Sequence, residues 1–235
     1  MDSTLVIKDL KALADPAKAD LLQRYFKTGK GQYGEGDKFI GITVPTQRKV
    51  AHKYIGMSLN EIRKLLESDI HEHRFTALEI LNFKYEKTDQ KEKAKIAAFY
   101  LKNRICLNNW DLVDTSAPYI LGDWLVQNDR SILYELIKSK NVWDRRIAIV
   151  STFAFIKNND FEDSLKLAKL SLTDKHDLMH KATGWMLREL GKKSGKALEG
   201  FLDENYKTMP RTMLRYAIER MPKEKRKHYL MIRSS

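Results

Sequence analysis

Four short segments of this 235-residue chain recur at steps of about 36 residues: Phe75-Thr76-Ala77-Leu78, Leu112-Val113-Asp114, Ile147-Ala148-Ile149-Val150 and Thr183-Gly184-Trp185-Met186. A period of that size points to stacked helical pairs, slightly shorter than the ~40 to 47 residues of HEAT repeats. Each segment falls on the second helix of a predicted pair. The expected fold is all-α: a single-domain right-handed α-α superhelix, or solenoid, of HEAT-like repeats over residues 1–235. In such a stack the second helices line the concave side, so whatever they display inward is displayed as a row.

Punctuation along the chain agrees with helices throughout. Only 5 prolines and 11 glycines interrupt it, and between them apolar residues recur at spacings of three and four with little sustained alternation. Asp15-Pro16 reads as an N-cap followed by proline at the first helical position, opening a helix through Leu21, Leu22, Tyr25 and Phe26. Ser58-Leu59-Asn60-Glu61 reads as a capping box ahead of Ile62, Leu65 and Leu66. A further helix opens at Pro45, and others are expected near 70–86, 90–104, 109–126, 130–139, 142–157, 161–172, 176–192, 195–207 and 211–221. Thr28 to Gly36 is glycine-rich but completes neither G-x-x-x-x-G-K-[ST] nor G-x-G-x-x-G and follows no strand, so it reads as a flexible connector.

Several function classes fall away. No apolar run approaches the ~18 residues of a membrane span, and the N-terminus lacks a basic region followed by a long apolar one. The single cysteine, Cys106, forms no internal disulfide and reads as a small buried apolar residue in a reduced, intracellular protein. His176 and His180 stand four apart but lack the Glu of H-E-x-x-H and a third ligand, so no metal is expected; His71 and His73, two apart, read likewise as surface or capping residues. No cofactor is implied.

Charge is the first positive signal. Lys and Arg number 43 against 31 Asp and Glu, a net +12, and the excess is uneven: +4 over residues 1–174 and +8 over 175–235. Such a field attracts a polyanion, most often nucleic acid, through phosphate neutralisation and counterion release.

At the repeat level stand Trp110 and Asp114, four apart on one helical face, then Arg146 one turn past Trp143, then Trp185 with Arg188 one turn on. Singly, each residue type has an ordinary structural role: Trp as core, Asp as a cap, Arg solvated or paired. Their coincidence at one level suggests one groove. Trp124 and Trp143 are expected in the core.

These strings also resemble the AlkD-like DNA alkylation repair glycosylases, a family of HEAT-like repeats. The resemblance rests on Phe39-Ile40-Gly41-Ile42-Thr43-Val44-Pro45, Asn109-Trp110-Asp111-Leu112-Val113-Asp114, Leu121-Gly122-Asp123, Asn141 to Arg146 and Lys181 to Glu189. It implies that Asp114 supports catalysis, that Trp110 and Trp185 flank the lesion, and that Arg146 and Arg188 contact the DNA backbone. Tyr25, and Arg48 in the helix opening at Pro45, join the expected DNA contacts. The implied activity is hydrolysis of the N-glycosidic bond of cationic N3- and N7-alkylated purines in double-stranded DNA, by a monomer located in the cytoplasm and on the nucleoid. The rival is a non-catalytic helical-repeat scaffold that binds nucleic acid or protein.

Overall fold

The computed structural model describes residues 1–231. Among them every regular element is helical, and the one strand-like pairing is an isolated parallel bridge between Lys38 and Ile70. The α-helices run α1 (Ser3–Lys11), α2 (Pro16–Tyr25), α3 (Val44–Lys53), α4 (Leu59–Leu66), α5 (His71–Glu86), α6 (Gln90–Lys102), α7 (Trp110–Asp114), α8 (Asp123–Leu125), α9 (Ser131–Leu136), α10 (Val142–Lys157), α11 (Glu162–Leu170), α12 (Asp177–Lys193), α13 (Gly195–Asn205), α14 (Arg211–Ala217) and α15 (Lys223–Met231). The chain divides into two compact units, Met1–Trp124 and Leu125–Ser235.

The N-terminal unit is organised around α5. Twelve of its sixteen residues are buried, so it has no solvent face; His71, Glu72, His73 and Arg74 are enclosed along with Phe75, Leu78, Ile80 and Leu81. Helices α3 and α4 pack against it. Glu72 accepts hydrogen bonds from the backbone N–H groups of Ile40 (3.1 Å), Gly41 (2.8 Å) and Ile42 (3.2 Å), which folds Phe39 to Thr43 into a cradle around one carboxylate. Only glycine suits position 41: its φ is +86°, and a Cβ would run into the carbonyl oxygen of Asp15 and lie 2.8 Å from the amide nitrogen of Ala19.

The C-terminal unit centres on α10 and α12, which pack on each other: α9 and α11 also pack on α10, and α13 and α14 on α12. A Cβ on Gly184 would stand 2.5 Å from both the carbonyl oxygen of Met213 and Cβ of Tyr216, so this glycine is what lets α14 lie so near α12. Helix α15 docks through Tyr229, which is buried, donates to Asp203 (2.8 Å) and meets Tyr206 edge-on.

Several expectations need correction. The helix expected over 109–126 is interrupted: α7 ends at Asp114, a π-turn spans Pro118–Gly122, and α8 follows. Pro118 lacks the N–H that a continuous helix would require. Asp15 and Ser58 cap α2 and α4 as expected, but the Glu61 carboxylate bonds the N–H and hydroxyl of Ser3 instead of closing a capping box. Trp143 is buried, Trp124 is half-buried, and Cys106 is half-buried in a 3-10 turn, where burial pushes its thiol pKa up. His71 and His73 are neither surface nor capping residues.

Candidate functional site

In the N-terminal unit the candidates gather on α7, a five-residue helix tied down at both ends. Its N-cap, Asn109, is wholly buried and accepts from the backbone N–H of Trp110 (2.9 Å). At the other end the Asn82 side chain donates to the carbonyl of Thr115 (2.8 Å), satisfying a terminal oxygen that the helix leaves open. So short a helix has little stability of its own. Its position is imposed by these side chains.

Trp110 and Asp114 both emerge half-buried from this helix, one turn apart. The indole stacks on Phe26 at 5.2 Å, meets Tyr25 edge-on at 6.1 Å, and donates through Nε1 to the Tyr33 hydroxyl (3.3 Å). Tyr33 belongs to the glycine-rich segment, which is internally bonded rather than a bare connector: the N–H of Gly31 donates to Glu35 (2.7 Å) and that of Gly34 to Lys27 (3.2 Å). Tyr25 stays 64% exposed beside the indole. The charge of Asp114 reaches the buried phenol of Tyr100, whose pKa is raised first by burial and further by that carboxylate, against a hydrogen bond shared with Ser116. Arg48, on α3, is exposed and paired with Glu79 (3.2 Å).

Beneath α7 lies a buried cluster of charges. His71 presents Nδ1 to Asp37 (3.0 Å) and Nε2 to Asp111 (2.8 Å). Asp37 also accepts from Arg74 (2.6 Å), Asn108 (2.7 Å) and Asn109 (3.2 Å). Burial works against the imidazolium, but the two carboxylates outweigh it and push the His71 pKa up to about 9. Burial likewise opposes the Asp37 carboxylate, and His71, Arg74 and Asn108 overcome it, leaving its pKa lowered.

In the C-terminal unit, Trp185 on α12 is half-buried and lies 6.2 Å from Phe153. Arg146 is only 5% exposed and donates to the carbonyl of Leu178 (2.6 Å). Arg188 is half-buried, ion-paired with Glu219 and 3.5 Å from Glu189. His176 caps α12, accepting from the N–H of Leu178 (3.2 Å), and His180 bonds the carbonyl of Asp174 (2.5 Å), so both have capping or local structural roles.

Compared with known families, residues 6–221 match the one described as DNA alkylation repair enzyme. The chain belongs to that family. The match ends before α15, so this basic helix lies outside it. A solved structure titled "Predicted DNA alkylation repair enzyme from Enterococcus faecalis" shares the fold: the TM-score is 0.72 over 89% of this chain and 97% of that one, at 18% identity. No curated protein matches the sequence significantly.

Within this DNA alkylation repair fold, the sequence located Trp110 and Asp114 on one helix but missed what holds them. Phe26, Tyr33, Asp37, His71 and Asp111 come from separate segments, and only folding brings them together. A signal was nonetheless present: His71-Glu72-His73-Arg74 opens a helix too apolar further on to leave a polar face.

Proposed function

We propose that this member of the DNA alkylation repair family is a DNA glycosylase for cationic N3- and N7-alkylated purines in duplex DNA, built from HEAT-like helical pairs. The observation that carries the reading is the arrangement on α7: a braced, partly exposed indole one turn from the carboxylate of Asp114.

The chemistry suits these groups. An alkylated purine carries a positive ring charge and departs neutral, so the glycosidic bond breaks without a general acid. Positive charge develops on the sugar instead, an oxocarbenium-like state of the kind carboxylates stabilise in glycoside hydrolysis. At ~4 Å and an effective dielectric of 20, a carboxylate attracts a unit charge by about 4 kcal/mol, worth a few powers of ten in rate if realised selectively in the transition state. Asp114 takes this role and orients the attacking water. Indole faces attract a cationic base by ~0.5 to 2 kcal/mol each; Trp110 supplies one beside Asp114, and Trp185 is proposed as a lesion-contacting indole of the C-terminal unit. Arg146, Arg188, Arg48 and Tyr25 are assigned to the DNA backbone, which fixes position without reading sequence.

The test is incubation with methylated duplex DNA followed by chromatography of the released bases. Release of 3-methyladenine and 7-methylguanine, with uracil-containing duplex spared, is the expected result. Uracil leaves as an anion and needs leaving-group stabilisation that a carboxylate does not provide. Tight binding of DNA with no base released would identify the non-catalytic scaffold instead.

A further inference from the structure

The motif W-D-L-V-D holds two aspartates, and the structure separates them: Asp114 is half-buried beside Trp110, whereas Asp111 turns inward to His71. We propose that His71 is a positioning residue that bridges Asp37, at the end of the glycine-rich loop, to Asp111, in the first turn of α7, and so fixes where Trp110 and Asp114 stand.

The geometry decides the protonation of the bridge. Both ring nitrogens face carboxylate oxygens, at 3.0 and 2.8 Å, and an ionised carboxylate only accepts. Each nitrogen must therefore donate, which makes the ring an imidazolium. Asp37 is ionised for the same kind of reason: its two oxygens accept from Arg74, Asn108 and Asn109 as well as from His71. Asp111 spends its other oxygen on the N–H of Leu112 (2.9 Å). Two cations and two anions thus form a neutral buried cluster. The imidazolium also packs against Phe39 at 4.4 Å and Phe26 at 5.2 Å, two rings that are themselves stacked 5.0 Å apart. Phe26 is also the ring on which Trp110 stacks. One imidazolium therefore touches the loop, the helix and the aromatic support of the indole.

Loss of the bridge releases the first turn of α7, and an error of about 1 Å at a reacting group costs up to roughly a hundredfold in rate. His71 acts through Asp111 and Phe26 and has no contact with substrate in this assignment. A role of this kind slows the excision step while leaving DNA affinity in place.

The experiment combines ring 15N NMR with single-turnover excision. In the full chain, the imidazole signals missing from His71→Gln spectra belong to His71. Two protonated ring nitrogens at pH 7, persisting to near pH 9, are expected; a single protonated nitrogen at pH 7 overturns the proposal. Both His71→Gln and Asp111→Asn should slow excision by roughly tenfold or more, with the Kd for duplex DNA changed less than twofold. If His71→Gln does not fold, Asp111→Asn carries the test, since it preserves shape and removes the charge facing the ring. Wild-type excision in a folded Asp111→Asn variant overturns the proposal. The kinetic arm rests on the glycosylase reading, but the NMR arm does not: wild-type protein that releases no base yet shows the doubly protonated ring sinks that reading and supports the bridge.

Discussion

Trp110 stacks on Phe26 with centroids 5.2 Å apart and ring planes 24° from parallel, and Phe26 in turn joins Phe39 and His71 in a three-ring cluster with centroids 4.4 to 5.2 Å apart. A partly exposed indole is thus backed by buried rings that end on a cation. Phe26→Ala removes a 7%-exposed side chain from that cluster and should cost about 3 to 4 kcal/mol in chemical denaturation. Trp110→Ala, at a half-buried position, should cost less stability but lower excision by roughly tenfold, the scale of one cation–π contact with its packing.

The His71 cluster predicts an alkaline loss of stability. Its folded pKa of about 9 lies above the ordinary 6.5, so the folded state binds the proton more tightly than the unfolded one. The stabilisation is fully present below about pH 6.5 and disappears as pH rises through 9, a change on the order of 3 kcal/mol. Asp37 has the opposite sign: its lowered pKa gives stability that is lost only as acid protonates it. Denaturation midpoints should fall between pH 6.5 and 9 in the wild type and stay flat over that range in a folded His71→Gln variant.

Position 41 makes a sharper steric prediction. Gly41→Ala combines a φ of +86° with a collision against the backbone of Asp15 and Ala19, so α2 must move or Glu72 must lose its cradle. The expected cost is ~3 kcal/mol in a urea melt. Gly31 has a similar φ of +75° but open space around it, and Gly31→Ala should cost about 1 to 2 kcal/mol.

Salt dependence tests Arg188, which Glu219 holds in the free protein. If Arg188 contacts a phosphate, the pair must open on binding. Glu219→Gln should therefore tighten binding to duplex DNA, while Arg188→Ala should weaken it and flatten the log–log salt slope by about 0.9. Equal affinities in both variants would remove Arg188 from the interface. Arg146→Ala is a poorer probe, because that side chain is almost wholly buried against Leu178 and its loss disturbs packing.

Legibility followed the range of the interactions involved. Helix α10 begins and ends where expected, at 142 and 157, because Asn141 caps it and apolar spacing runs its length. Helix α1 is absent from the sequence expectations because its nine residues are too few to show a periodicity, and α15, with its cluster of cations, offers little apolar spacing to follow. Pro118 was the available warning that 109–126 would break. Trp110 and Asp114 were found because four residues make one helical turn. Separations of 34 positions from Asp37 to His71, and of 40 from His71 to Asp111, leave no such local trace.

Asp114 separates an enzyme from a scaffold most directly, and its place on α7 makes the test clean. The capping role at the start of that helix belongs to Asn109, while Asp114 is the last helical residue. A carboxylate there faces the negative end of the helix, where Asn is at least as well tolerated. Asp114→Asn should therefore leave stability within about 1 kcal/mol of wild type, and DNA affinity should persist or rise as a negative charge is lost. Under the proposed mechanism the same change removes the charge that stabilises the sugar cation, so single-turnover excision should fall on the order of a hundredfold or more. An Asn variant that is equally stable and equally fast would exclude Asp114 from catalysis. One that binds DNA normally, melts normally and no longer releases alkylpurines would place the carboxylate at the reacting centre.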